Sequence, residues 1–399
     1  MNLERYARHN LIDWFDQDLV RNLRVIVVGA GALGNEVLKN LALLGVGEIH
    51  VFDLDLIEES NLTRSVVFRE ADVGRQKAEC AATRARELDP NLVTVAHHGD
   101  FWKTLTFPLL RSSAVVFGCL DNFESRIRLN RLCAIANVPL VNTGIDSRFG
   151  VVELFPFGTS ETIACYECSL PPSVYASVAK RYSCGWLRRV AVEQRKVPTT
   201  ILTASGTASL AISMYLRSIV TPAEEPASTR VYQDTFSGHS TRTTIERMAG
   251  CPGCGDLSNE RVILAANRAC APTLARPEAF CADSTVLFSD RVLTYLQCPQ
   301  CHPDGRKDIV FSSSDNFDET VVECPTCKTG KREVGLSDRL EVRELFDDYK
   351  GRPWPGKFVI YSEGDLQVVL ELVGGSDVRS DRNPENRGQN SKSGSDSAS

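Results

Sequence analysis

Eight of the chain's 14 cysteines fall in four C-x-x-C pairs: Cys165 and Cys168, Cys251 and Cys254, Cys298 and Cys301, Cys324 and Cys327. Four thiolates suit tetrahedral zinc, and a shell with no open position is structural rather than catalytic. The last two pairs are C-P-x-C knuckles 22 residues apart, a zinc-ribbon spacing. The first two are far apart, so a metal there would clip two distant segments together. A second group is the run Gly29-Ala30-Gly31-Ala32-Leu33-Gly34, which follows the β-branched stretch Val25–Val28 and opens a helical stretch. Glycines in that context permit a tight turn and close backbone approach to a phosphate, while the helix N-terminus supplies unpaired N–H groups and a favourable dipole. Asp53 ends a second strand-like run about 20 residues on, where a carboxylate binds a ribose hydroxyl. To this point the residues fit NAD as well as ATP.

The stretch beyond Asp53 separates the two. It carries Asp55, Asn61 and Arg64, then Lys77, and later Asp121 at the end of another strand-like run. A nicotinamide enzyme has no use for this set. Attack on the α-phosphate of ATP does, because cations must offset the triphosphate and the charge developing in the transition state. A carboxylate must also hold Mg2+, which favours oxygen ligands.

With these residues in order from Arg5 to Cys254, the chain resembles the HesA/MoeB/ThiF superfamily, which contains the ubiquitin-activating (E1-like) enzymes. The superfamily pattern D-x-D-x-(I/V)-x-x-S-N-L-x-R-Q is met from Asp53 to Arg64, with Ser65 replacing the glutamine. The resemblance implies that Gly29, Gly31, Gly34 and Asp53 bind the nucleotide, that Asn61, Arg64 and Lys77 contact the phosphates, and that Asp121 holds Mg2+. Asp55 belongs to the same nucleotide-binding set. Arg5-Tyr6-Ala7-Arg8 resembles an N-terminal R-Y-x-R whose second arginine reaches into a partner subunit's site. Arg8 is then supplied in trans, and the chain is a homodimer. The resemblance also places a four-cysteine zinc site at Cys165, Cys168, Cys251 and Cys254.

Between those knuckles lies Cys184, which has no C-x-x-C partner and has Lys180, Arg181, Arg188 and Arg189 nearby. Neighbouring cations stabilise a thiolate and raise its reactivity. The segment resembles the superfamily's crossover loop, whose cysteine takes an acyl group as a thioester in ubiquitin-activating members. Cys80, Cys119 and Cys133 fall in helix-like or strand-like runs and are expected in the core. Cys270 and Cys281 carry no assignment.

The expected elements are strands at Val25–Val28, Ile49–Phe52, Val93–Ala96, Ala114–Phe117 and Pro139–Asn142. Helices are expected at Asn35–Leu44, Gly74–Leu88 and Thr199–Val220, and an antiparallel extension begins at Gly150–Phe155. The fold class is therefore α/β, a Rossmann-like doubly wound, mostly parallel sheet of ThiF type with a C-terminal zinc-ribbon module. Residues 1–258 form the adenylation domain, with a long surface connection at about 169–198 as the crossover loop. Residues 259–375 form the β-rich ribbon module, either a small stability element or a surface that recruits the modifier or its conjugating enzyme. Residues 376–399 are too polar to bury a core and are expected to be disordered.

Apolar residues make up 43% of the sequence and the formal net charge is -6, which argues against a nucleic-acid binder, a class that usually shows a basic face. No apolar run approaches the roughly 20 residues of a membrane span, and the N-terminus has no signal-like apolar region, so a cytoplasmic protein is expected. The expected function is ATP-dependent activation of a ubiquitin-like protein with a C-terminal glycine. Adenylation is followed by a thioester on Cys184 and transfer to a conjugating enzyme. The alternative is a sulfur-carrier protein adenylyltransferase for thiamine, molybdopterin or related sulfur transfer. The joint presence of Arg8, Asp53, Arg64, Lys77, Asp121 and Cys184 opposes an inactive scaffold.

Overall fold

Short apolar strands, the parallel ones joined through helices, build a first sheet of eight strands. The computed structural model describes residues 4–180, 198–258, 260–267, 285–314, 323–328, 330–349, 351–363 and 366–374. Strands β1 (Arg24–Val28), β2 (Glu48–Asp53), β3 (Val93–His98), β4 (Val115–Gly118) and β5 (Leu140–Ile145) run parallel. Strands β6 (Phe149–Phe155), β7 (Thr229–Asp234) and β8 (Ser240–Thr244) extend the sheet antiparallel. The order β3-β2-β1-β4-β5-β6-β7-β8 reverses direction between β1 and β4. In open α/β sheets that switch point, at the carboxyl ends of the strands, is where ligands bind.

Both faces of this sheet are covered, which is why its central strands are apolar throughout rather than alternating. Val25 and Val27 face a layer made by α2 (Ala32–Leu44), α3 (Lys77–Leu88) and α8 (Ile201–Val220). Ile26 and Val28 face α4 (Phe101–Thr104), α5 (Phe107–Arg111) and α6 (Phe123–Ala136). Helix α2 ends at Gly45, whose φ of 82° is the left-handed conformation that a glycine cap adopts without strain. The small residues of α8 bring it close to β6: a Cβ on Gly150 would collide with the Thr207 hydroxyl.

A second sheet has the order β11-β10-β13-β14-β9, with β12 also on β10. Its strands are β9 (Arg261–Asn267), β10 (Thr285–Gln297), β11 (Asp308–Ser313), β12 (Glu333–Glu341), β13 (Phe358–Glu363) and β14 (Leu366–Val373). One face buries Phe288, Trp354, Leu345 and Tyr349 together. On the other face Phe358, Ile360 and Val369 join the core of the α4–α6 layer.

Helices α4, α5 and α6 had no counterpart among the expected elements, and two further stretches depart from what the sequence led one to expect. The stretch read as a surface connection from 169 begins with a helix, α7 (Pro172–Lys180), which a proline starts and whose Val174 is buried against the core. Within residues 259–375, expected to be β-rich, lies helix α9 (Val342–Asp347), which packs Leu345 into the second core. The later part of the crossover loop, Cys184, Cys270, Cys281 and the tail 376–399 lie outside the described residues.

Candidate nucleotide site and metal centres

The glycine loop is tied down by backbone contacts that leave no room for side chains at two of its three glycines. Gly29 adopts φ 95° and donates its N–H to the Phe52 carbonyl at 2.8 Å. A Cβ on Gly29 would run into the Cys119 carbonyl, and one on Gly34 into the Gly29 carbonyl. A Cβ on Gly31 would meet nothing within 4 Å. Gly31 is the N-cap of α2 and offers no side chain to its N–H groups, so the helix end faces open space. Asn35, fully buried, secures the loop from below. Its Nδ2 donates to the Ala30 carbonyl at 2.7 Å and the Gly31 carbonyl at 3.0 Å, and its Oδ1 accepts the Val67 N–H at 3.0 Å. The sequence reading missed Asn35; an asparagine in the first turn of α2, directly after the glycine loop, was the available signal.

Asp53 closes β2 beside that loop. Its carboxylate accepts the Ala30 N–H at 2.7 Å and the Asp55 N–H at 2.8 Å. Burial pushes its carboxyl above the ordinary aspartate range, and these two N–H bonds and Lys77 pull the other way. The segment after Asp53 folds back on residues 74–77 through Ile57 N–H to the Arg75 carbonyl and Gly74 N–H to the Ile57 carbonyl, both 2.8 Å. That turn places the Lys77 ammonium 2.8 Å from the Asp55 carboxylate, with the lysine side chain only 11% exposed.

Asn61 and Arg64 sit on the same segment and are engaged locally. Asn61 Oδ1 accepts the Glu58 N–H at 2.9 Å, and Arg64 donates to the Ser60 carbonyl at 2.6 Å. Ser65 is buried, and its carbonyl accepts the Phe68 N–H. Asp121 is exposed just past the end of β4, two residues after Cys119, which touches the glycine loop. Beside it Asn122 caps α6 by accepting the Ser125 N–H at 2.9 Å. Gly29, Gly31, Gly34, Asp53, Asp55, Lys77 and Asp121 therefore share the carboxyl ends of β1, β2 and β4.

Arg8 does not join them. Tyr6, two residues earlier, packs against Gly45 at the far end of α2 and donates to Asp89. The 13 residues of α2 separate that end from the glycine loop by about 20 Å.

Next to Asp121 a pocket of about 420 Å³ opens over β5, β6 and β7. Its floor is a polar chain that the sequence reading did not identify. Arg126 donates to Asn142 Oδ1 at 2.8 Å, Asn142 Nδ2 donates to Glu153 at 2.6 Å, and Arg230 donates to Glu153 at 2.7 Å. Exposed Phe123, Phe149 and Tyr232 border it. Glu153, a charged residue on the otherwise apolar β6, was the signal.

The cysteines gather as their spacing predicts. Cys165, Cys168, Cys251 and Cys254 form one cluster, and Cys298, Cys301, Cys324 and Cys327 the other, with all sulfurs of each within 4.8 Å. In the first, Sγ–Sγ separations are 3.6 Å from Cys165 to Cys251 and 3.6 Å from Cys168 to Cys254. In the second they are 3.8 Å from Cys298 to Cys327 and 3.6 Å from Cys301 to Cys324. Thiolates about 2.3 Å from a tetrahedral zinc stand about 3.8 Å apart, so both clusters fit the ion. Cys80, Cys119 and Cys133 are buried in the core; burial pushes the Cys119 thiol up to about 12.

Residues 4–253 match the family described as "ThiF family". The SAMP-activating enzyme E1 of Haloferax volcanii is 38% identical over 173 residues, 42% of this chain and 62% of that protein. The SUMO-activating enzyme subunit uba-2 of Caenorhabditis elegans is 38% identical over 146 residues, 36% of this chain but only 25% of that protein. The sulfur carrier protein adenylyltransferase of Thermus thermophilus is 28% identical over 271 residues, 66% of this chain and 94% of that protein. The chain thus spans 62% of the first of these relatives and 25% of the second. A crystal structure of E. coli MccB with ATP shares the fold, with a TM-score of 0.50 and 24% identity over 64% of this chain and 75% of that one.

Proposed function

The chain belongs to the ThiF family, and from that premise we propose that it uses ATP to adenylate the C-terminal carboxylate of a small ubiquitin-like protein and then takes the acyl group as a thioester on Cys184. The observation that carries this reading is the grouping of an open-faced glycine loop, Asp53, Lys77 and Asp121 at one sheet end, with a separate pocket leading away from Asp121. One ligand would be the nucleotide. The other would be a narrow extended tail reaching the α-phosphate across β5–β7.

In this reading Asp53 orients the ribose and the N-terminus of α2 receives phosphate oxygens. Lys77 and Arg64 offset the negative charge that grows as pyrophosphate departs. Asp121, an exposed carboxylate, suits Mg2+, which would lend further charge to the phosphates. The tail's carboxylate oxygen bonds to the α-phosphorus as the bond to pyrophosphate breaks. The Cys184 thiolate then bonds to the acyl carbon, and AMP leaves with the electron pair of the broken C–O bond. The acyl group would next pass to the cysteine of a conjugating enzyme. Residues 1–258 would carry both steps, and zinc in each four-cysteine cluster would be structural.

Arg8 would act in a partner subunit, making the enzyme a homodimer. Two features support this: its distance from its own glycine loop, and the exposed Leu11, Ile12, Trp14 and Leu43 around it. The second reading, a sulfur-carrier protein adenylyltransferase, is favoured by the near-complete coverage of the Thermus relative. Both share adenylation and part at the fate of the acyl group.

The test is a gel assay with purified chain, ATP, Mg2+ and a ubiquitin-like protein ending in Gly-Gly, run with and without thiol reductant. A reductant-sensitive adduct that disappears in Cys184→Ala supports thioester activation. Modifier-dependent ATP–pyrophosphate exchange without an adduct moves the assignment to the sulfur-carrier reading. Absence of both adduct and exchange removes the adenylation assignment.

A further inference from the structure

The second sheet grips the first through charged groups placed at helix ends. Glu371 on β14 accepts the Phe107 N–H at 3.1 Å, at the N-terminus of α5. Arg261 on β9 donates to the Ile135 carbonyl at 2.8 Å and the Ala134 carbonyl at 2.6 Å, at the C-terminus of α6, and to Asn137 Oδ1 at 2.5 Å. A carboxylate at a helix start and a guanidinium at a helix end are each favourable to the helix dipole, and each satisfies backbone groups left without helical partners.

The N-terminal half of α6 is held as well, through Arg128 in its second turn. Asp290 on β10, almost fully buried, accepts the Trp102 indole N–H at 3.1 and 3.2 Å, and Arg128 of α6 approaches the same carboxylate at 3.4 Å. The Arg128 guanidinium lies over the Trp102 ring, 5.1 Å from its centroid. Arg128 also pairs with Glu124 in the first turn of α6, at 3.3 Å.

Helix α6 is not a neutral choice of anchor. Its N-cap is Asn122, next to Asp121. Arg126, in the same first turns, donates to the Thr143 carbonyl at 2.5 Å and to the Leu120 carbonyl, which ties the backbone just before Asp121 to the helix and to β5. A shift of α6 along its axis would therefore move the carboxylate that faces the phosphates.

We propose that the C-terminal module sets the position of the Asp121–Asn122 turn by clamping α6 at its second turn and its C-terminus, with Asp290 and Arg261 as positioning residues. The inference rests on the adenylation reading for the role of that turn. It gives the module a part in the chemistry that does not require it to recruit anything.

The test uses the full zinc-loaded chain. Asp290→Asn keeps the size and one acceptor for Trp102 but loses the charge facing Arg128. It should weaken binding of a fluorescent ATP analogue in the presence of Mg2+ by about two- to thirty-fold, the span that mutations between coupled sites cover. Amides in the first turns of α6 should exchange faster with deuterium, and Asp290→Glu should recover part of both effects. Trp354→Phe, in the module's far core, serves as the control: it lowers stability without touching α6 and should leave the affinity unchanged. If Asp290→Asn does not fold, Arg261→Gln at the other helix end carries the same expectation. Unchanged affinity and exchange in a folded Asp290→Asn or Arg261→Gln, with wild-type binding intact, overturns the clamp alone. A wild-type chain that binds no nucleotide overturns the adenylation reading, and the clamp with it.

Discussion

Three glycines of the loop look equivalent in sequence and are not equivalent in space. A Cβ at Gly34 meets a backbone carbonyl oxygen, which cannot swing aside, whereas a Cβ at Gly31 projects into open space from an extended backbone. Gly34→Ala should lower stability by about 1–3 kcal/mol, the usual range for overpacking, and should lower nucleotide affinity with it. Gly31→Ala should leave the melting temperature unchanged and weaken only nucleotide binding, because the methyl occupies the space before the helix N-terminus. Thermal melts and nucleotide titrations of the two variants decide this; equal melting losses would mean that Gly31 is structural too. Lys77 is held near the site by Asp55, a residue the sequence reading grouped with the nucleotide set without assigning it a contact.

At the scale of elements, metal knuckles join segments that the chain itself keeps far apart. Cys165 and Cys168 follow the first sheet's β6, while Cys251 and Cys254 come after β8. Between the two knuckles Glu167 is completely buried, accepting two bonds from Arg131 of α6 at 2.9 and 3.0 Å and one from Tyr175 of α7 at 3.1 Å. Zinc at this cluster would therefore anchor the start of α7, the helix leading toward Cys184. The expected metal content is two zinc ions per chain, falling to one in Cys254→Ser and in Cys327→Ser. Elemental analysis of purified protein measures it, and a wild-type chain without zinc would contradict the assignment. Cys254→Ser should also loosen the start of α7 and speed deuterium exchange of its amides, an effect Cys327→Ser should not have.

The whole molecule poses the question of Arg8. Its segment is fixed to the distal end of α2 by Tyr6, so a role at a phosphate requires a second subunit. Arg8→Ala and Lys77→Ala should each abolish ATP–pyrophosphate exchange alone. Mixed under conditions that allow subunit exchange, they should regain about a quarter of wild-type activity, because half the dimers are hybrids with one intact site each. Mixing without recovery would overturn supply of Arg8 in trans, and an Arg8→Ala chain with unchanged exchange would place Arg8 outside the reaction. Among the described residues no helix is long and apolar enough to cross a membrane, so the exposed apolar residues near Arg8 are not part of a spanning helix.

The sequence alone determined what depends on short spacing. Two cysteines three residues apart favour one shared ligand, and a strand, a glycine turn, a helix and a second strand in succession favour a βαβ unit; the parallel sheet, the glycine loop, Asp53 and the second four-cysteine cluster follow from such local constraints, whereas joining Cys165 and Cys168 to Cys251 and Cys254 was implied by the family resemblance. Asp121 was legible for the same reason, as an acid just past a strand. Only the tertiary structure decided what lies across long separations. Trp102 and Asp290, or Phe107 and Glu371, are brought together by packing one sheet against the other's helices, and no periodicity encodes such a meeting. The pocket floor of Arg126, Asn142, Glu153 and Arg230 has the same origin, since its members sit on α6, β5, β6 and β7. Helices α7 and α9 escaped the sequence reading because each is short and owes its burial to a surface supplied by the rest of the molecule.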